Sequence, residues 1–446
     1  MSECEKDLEV LRETFKSGKT REESWRRSQL KNLLRLLEEK EDDIFKALKQ
    51  DLGKHQVEAY RDEIGTLVKS VNYALDGLKQ WMSSKKAKLP IAAFPSSAEL
   101  VPEPLGLVLI ISSWNFPFGV SLEPLIGAIA AGNVMVLKPS ELAPACSSVL
   151  AKTIPTYLDS KAIKVIEGDY SVGQKLLQQK WDKIFFTGST KVAQIVMAAA
   201  AKHLTPVTLE LGGKCPAIID SLSSSWDKNV QMIKFAIPKM FGENPKESHS
   251  MSRIVNKTHF LRIKNLLDEP MVKASIIYGG STDEDNLYIE PTLLLDPPVQ
   301  AAIMTEEIFG PLLPILTMDN IEDSIEFINA KPKPLAIYAF TKDEELRRKI
   351  ISRTSSGSVV FNDTIIQYAA DTLPFGGVGQ SGFGRYHGKF SFDTFSHEKV
   401  VVRRSFLTDI WFRYPPWNDH KLQLFRVGFR YDYLSIVLIT LGLKKA

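Results

Sequence analysis

The chain has 446 residues, 44% hydrophobic and 24% charged, an ordinary globular composition with length for two or three domains. Its 56 basic and 53 acidic residues leave a net charge of +3, which argues against a polyanion as the main partner. Three widely spaced cysteines, Cys4, Cys146 and Cys215, make neither a disulfide framework nor a zinc cluster, so a reducing compartment and no metal are expected.

Met1 to Val10 is acidic and polar, lacks the basic start and apolar core of a signal peptide, and places Cys4 in a loose terminus. Residues 1–80 predict helices, with Leu30, Leu33, Leu34, Leu37, Ile44 and Leu48 at helical spacing, a stop at Gly53 and a further helix over Glu63–Trp81. Between Lys85 and Pro104 the prolines at 90, 95, 102 and 104 predict extended chain or a hairpin leaving the main body.

A regular rhythm starts at Leu107. Strands are predicted over Leu107–Ser112, Val134–Lys138, Ile163–Glu167, Lys183–Thr187 and Val207–Leu211, with helices over Gly119–Ala131, Ala143–Tyr157, Val172–Gln179 and Lys191–His203. Such alternation predicts a doubly wound parallel sheet, whose sites lie at the carboxyl ends of its strands. Those ends hold Trp114-Asn115, Lys138 to Glu141, Gly188-Ser189 and Glu210. A second alternating region follows. Its strands are predicted over Ser275–Gly279, Thr292–Leu295, Pro314–Thr317, Ala336–Thr341 and Ser358–Asn362, and its helices over Lys257–Leu267, Ile321–Asn329 and Glu344–Thr354. After Phe395 the chain turns basic and aromatic, which reads as a solvated face around a packed tail rather than a nucleic-acid surface. The apolar run Leu434–Leu443 is too short to span a bilayer; it predicts a buried end helix, with peripheral membrane contact as the alternative.

No GxGxxG follows the first strand; Ser112-Ser113-Trp114-Asn115-Phe116-Pro117 stands there instead. The fourth strand runs into Phe186-Thr187-Gly188-Ser189-Thr190 and a helix, whose free N–H groups suit a pyrophosphate. By itself this turn is a weak signal. The ordered set WNFP, LKPSE, FTGST, LELGG, EEIFGP and LPFGG is a strong one, and with it the chain resembles the aldehyde dehydrogenase superfamily over essentially its whole length. The LELGGKCP run, Phe241-Gly242-Glu243-Asn244-Pro245 and Arg385-Tyr386-His387-Gly388 are similar to the class 3 branch, plant members above all.

The resemblance implies an α/β, aldehyde dehydrogenase-like fold. A Rossmann-type cofactor domain would take residues 1–80 and 105–215. A second, catalytic α/β domain would take 216–393, shortened near 227–240. A small oligomerisation arm and C-terminal tail would take 81–104 and 394–446. It implies an NAD(P)-dependent dehydrogenase of the EC 1.2.1 type, with NAD as cofactor (NADP also admissible), oxidising aliphatic or aromatic aldehydes to acids. A cytoplasmic homodimer, or a heterodimer with relatives, is implied. Asn115 matches the side-chain donor to the oxyanion and Glu210 the base that activates water. Leu209 and Leu211 flank Glu210, so a raised carboxyl pKa is expected. Lys138 and Glu141 match the adenosine-ribose pair, and Gly188 and Ser189 the pyrophosphate turn. Glu307 and Phe309 match the holders of the nicotinamide ribose and ring, with Trp114 and the Leu211 backbone beside them.

One part of the pattern is missing. The family's nucleophile sits in a Gly-Gln-x-Cys turn roughly 30–35 residues after that glutamate, and here the count reaches Phe241-Gly242-Glu243-Asn244-Pro245 instead. Asp227 to Met240 predicts one helix, with Val230, Ile233 and Ile237 on one face, where the family has a helix, the cysteine turn, a strand and a second helix. Cys215 is carried away from the site by the strand it follows, and Cys146 reads as a buried helix residue. The expectation is a catalytically impaired member with apolar surface and a sheet edge laid bare in the second domain. Two other readings stay open: a non-catalytic cofactor-binding subunit that pairs with full-length relatives, and an unstable splice or gene-model product.

Overall fold

The structure is a computed structural model and describes residues 3–90, 93, 95–220, 226–406, 409 and 411–443. In chain order the strands are β1 Lys85–Ala87, β2 Ser97–Pro104, β3 Leu107–Ile111, β4 Val134–Lys138, β5 Ile163–Val165, β6 Lys183–Gly188, β7 Val207–Leu211 and β8 Ala217–Ile219. Then come β9 Ile276–Tyr278, β10 Thr282–Asp283, β11 Tyr288–Ile289, β12 Thr292–Leu295, β13 Leu312–Ile315, β14 Ala336–Phe340, β15 Ser358–Phe361, β16 Gly382–Phe383 and β17 Ser396–Arg403. The chain forms two compact units: residues 1–81 with 104–396, and residues 82–103 with 397–446.

The larger unit is built on a six-stranded sheet in the order β16-β7-β6-β3-β4-β5. Strands β3 to β7 are parallel and β16 runs antiparallel to β7. Strands β3 and β4 are apolar almost without interruption, as strands covered on both faces must be. The helix Gly119–Ala131 is buried at every position, so it is a core helix rather than an amphipathic one. Its C-terminus turns at Gly132, φ 89°, where a Cβ would meet the buried Arg26 guanidinium at 2.6 Å. Arg26 uses that space to donate to the Ala130 carbonyl at 2.9 Å.

The second region forms two separate three-stranded sheets, β13-β12-β9 and β15-β14-β8. One core there gathers Phe260, Ile263, Leu294 and Ile303, another Ile337, Ala339 and Ile350. A single helix, Trp226–Phe241, occupies the stretch where one helix was expected. Val230 and Ile237 are buried, while Met232, Phe235 and Met240 are 68%, 73% and 68% exposed. That face carries large apolar side chains with nothing described above it.

In the smaller unit, β1-β2-β17 make an antiparallel hairpin with a third strand, tied by the Lys399–Glu103 and Arg403–Glu99 ion pairs. Helices Asp419–Phe429 and Tyr433–Thr440 follow. The tail departs from the buried end helix expected of it. Leu434, Val437, Leu441 and Leu443 are 71%, 53%, 65% and 73% exposed, and only Ser435 and Ile439 of the terminal helix are buried. The reason is that it packs mainly on the preceding helix, which covers one face only. The N-terminus also differs: Glu3–Lys16 is helix, where a loose terminus around Cys4 was expected.

Candidate active site

Parallel strands end on the same side, so the sheet register gathers the loop residues. Ile111 of β3 lies opposite Lys138 of β4 and Phe186 of β6; Thr187 and Gly188 lie opposite Glu210 and Leu211 of β7. The loops leaving these ends therefore share one rim. They carry Trp114, Asn115, Glu141 and Ser189.

Glu210 is 4% exposed and neither carboxylate oxygen has a hydrogen-bond partner. Burial alone pushes its carboxyl well above the ordinary value. Leu209 and Leu211 are buried as well. Gly382 of β16 pairs across from Glu210 and closes that edge of the sheet.

Asn115 lies in the turn between β3 and the core helix. Its side-chain oxygen accepts from the Ser113 hydroxyl at 2.6 Å, which leaves the amide nitrogen as the donor end. Its backbone carbonyl accepts from the Lys54 ammonium at 3.0 Å. Lys54 is in turn paired with Glu63 at 2.7 Å, and these side chains are 6% and 0% exposed. The second Glu63 oxygen accepts from the backbone N–H groups of Phe118 at 2.9 Å and Gly119 at 3.2 Å, capping the core helix from outside. Burial raises the Glu63 carboxyl; Lys54 and the two N–H groups pull it back. A π-helical turn, Tyr60–Ile64, delivers Glu63 to this position. Sequence reasoning missed this clamp, because nothing in the local pattern marks Lys54 or Glu63 as buried.

Lys138 is 4% exposed at the end of β4 and pairs with Glu141 at 2.6 Å. Gly188 ends β6 and Ser189 caps the helix Thr190–Ala201, its hydroxyl accepting from Val192 N–H at 3.4 Å. The cap leaves other N–H groups of that first turn pointing at the rim. Glu307 reaches the rim from the far side. Its carboxylate lies on Gly212, where a Cβ would be 2.2 Å from Oε1, and it accepts from Gly213 N–H. Desolvation raises this carboxyl, while Gly213 N–H, Arg262 and Lys214 act the other way. Phe309 stands edge-on to Trp114 with ring centroids 5.1 Å apart, and His259 packs on the same indole at 5.2 Å. All ten residues singled out from the sequence thus sit at the strand ends or on the loop facing them.

Both cysteines with described side chains have their thiols pushed up, which disfavours the thiolate. Burial, then Asp51, pushes the Cys146 thiol up far beyond its ordinary value. Cys215 is exposed where the chain passes from β7 to β8, and desolvation raises its thiol too. Among the described residues no group of His, Cys, Asp or Glu is arranged to hold a metal ion.

The model of the aldehyde dehydrogenase family matches residues 2–244 and 222–401, two stretches that overlap between 222 and 244. Aldehyde dehydrogenase family 3 member F1 of Arabidopsis thaliana is 53% identical over 478 aligned positions, covering 99% of this chain and 98% of that protein. That alignment is longer than the 446-residue chain, so the relative has residues at positions where this chain has none. Family 3 member H1 of the same plant is 47% identical, covering 97% and 96%. Among solved structures, the substrate-bound state of Staphylococcus aureus AldH is similar with a TM-score of 0.92 and 40% identity, covering 96% of this chain and 100% of that one.

Proposed function

Because the chain belongs to the aldehyde dehydrogenase family and has that family's fold, we propose that it is a class 3 member that keeps its cofactor cleft and has lost its nucleophile. The observation that carries this reading is the rim itself. Asn115, Glu210, Glu307 and Phe309 belong to it, while both cysteines with described side chains have raised thiol pKa values, Cys146 buried in a helix and Cys215 just past the Gly213 that holds Glu307. A missing segment near 227–240 is supported by the split family match and by the 478-position alignment.

The rim fits a dinucleotide. The Lys138–Glu141 pair offers a donor and an acceptor to the adenosine ribose, and the Gly188-Ser189 turn offers N–H groups to the pyrophosphate. Glu307, held on Gly212, would hold the nicotinamide ribose, with Phe309, Trp114 and the Leu211 backbone beside the ring. Glu141 favours NAD over a 2′-phosphorylated cofactor. When bound, NAD accepts the hydride that leaves the substrate carbon. The chain's own groups do the rest. The Asn115 amide donates to the developing oxyanion. Glu210 in its ionised form takes a proton from the water that hydrolyses the acyl group. The thiolate attack that generates the oxyanion, and that must come before acyl hydrolysis, has no cysteine suited to it among the described side chains.

Titration calorimetry with NAD, alongside turnover assays with an aldehyde, tests the reading. We expect NAD binding, with dehydrogenase turnover about 10³–10⁶ below that of a full-length relative. Turnover at the relative's rate would overturn it. We also propose that 1–80 with 105–215 bind cofactor, that 216–393 are the catalytic domain, and that 81–104 with 394–446 pair the chain with a second copy or a relative in the cytoplasm. No described helix is long and apolar enough to cross a membrane. The outward Leu434, Val437 and Leu441 suit a peripheral membrane contact as the alternative. A second reading, a shortened splice or gene-model product, is favoured by the same alignment length; transcript reads containing a cysteine-bearing insert after Trp226 would establish it.

A further inference from the structure

The loop that carries Glu307 and Phe309 is held in a way the cofactor roles leave unexplained. Phe309 has φ 51°, in the left-handed region that bulky residues avoid, and it is 42% exposed. Such a conformation persists only where its surroundings over-determine it, and packing on so exposed a side chain is not enough. The constraint comes through the backbone. The Lys214 ammonium donates to the carbonyls of Ile303 at 2.6 Å and Glu306 at 3.0 Å. Arg262 donates to the carbonyls of Glu307 at 3.3 Å and Ile308 at 2.7 Å. The two cations therefore grip the Ile303 carbonyl and the three consecutive carbonyls of Glu306, Glu307 and Ile308 just before Phe309. Lys214 directly follows Gly213, whose N–H holds the Glu307 carboxylate.

We propose that Lys214 is a positioning residue for the nicotinamide half of the cofactor site, fixing the shape of the Ile303–Phe309 loop without touching the ligand. The proposal rests on the cofactor reading above. Lys214 joins the end of β7 to the loop through its side chain, as Gly213 does through its backbone, so Glu307 and Phe309 are set relative to Glu210 by two adjacent residues. Keeping this ammonium partly desolvated has a cost: desolvation, with Lys331 nearby, brings its pKa down to about 8. The carbonyl bonds offset that cost, and at neutral pH the group remains a cation. Arg262 cannot substitute, because its bonds go to Glu307 and Ile308 and leave the earlier carbonyls unheld.

The test uses the full chain, with NAD and ADP as separate calorimetric probes. ADP reaches only the Lys138, Glu141 and Gly188 half of the rim; NAD reaches both halves. For Lys214→Met we expect NAD dissociation constants to rise about tenfold while ADP binding stays at the wild-type value. Lys214→Arg, which keeps a cation and donors, should recover most of the loss. Unchanged NAD binding in Lys214→Met, or an equal loss for NAD and ADP, overturns the proposal. If the wild-type chain binds neither probe, the cofactor reading falls and takes this proposal with it.

Discussion

Glu210 shows what an apolar setting does to a single carboxyl. Its folded pKa is raised, so between the ordinary carboxylate value and that raised value the folded chain holds a proton the unfolded chain has released. Stability attributable to this residue therefore falls as pH rises through that window, by up to about 1.4 kcal/mol per pH unit. Glu210→Gln removes the titration. Its melting temperature relative to wild type should rise from pH 5 to pH 8, and a pH-independent difference would contradict this. The flanking leucines made that environment legible in the sequence. Lys54 and Glu63 were not legible in the same way, because their pairing depends on a π-helical turn and on the arrival of the Asn115 loop from elsewhere in the chain. Lys54→Met strands Glu63 in the core and should lower unfolding stability by about 3–5 kcal/mol. Denaturant titration measures this, and a change below about 1 kcal/mol would show that the pair contributes little.

Among the elements, long periodic segments were readable and short pairings were not. Strands β4, β7 and β12 and the helices Gly119–Ala131 and Ile321–Asn329 occupy the ranges their patterns predict. The strands β8 and β16 have three and two residues and exist because β14 and β7 offer them edges, which no local pattern announces. The terminal helix illustrates the converse. Its apolar run predicts burial, but among the described residues it packs mainly on the preceding helix and leaves Leu434, Val437 and Leu441 exposed. Helix Trp226–Phe241 has the same condition in the second region. Phe235 is 73% exposed, so Phe235→Glu should change stability by less than about 0.5 kcal/mol while reducing aggregation on heating. A loss of more than about 2 kcal/mol would mean that this face packs against something.

Over the whole molecule, the rim of strand ends is one connected structure. The parallel sheet fixes four of its loops by register, the Lys54–Glu63 pair fixes the Asn115 turn, and Lys214 with Arg262 fixes the opposing loop. Family motifs made most of this rim readable, since each marks a strand end or a loop with a chemical task. The clamps behind the rim were unreadable because they bond side chains to backbone groups distant in sequence. On the proposed reading, the step this chain lacks is the first chemical one, thiolate attack on the aldehyde. Rapid mixing of the purified protein with NAD and excess aldehyde measures that step directly, through NADH formed in the first turnover. The account predicts no burst of NADH. A burst stoichiometric with protein, above all one abolished by Cys215→Ser, would show that a thiolate does reach the substrate and would contradict it.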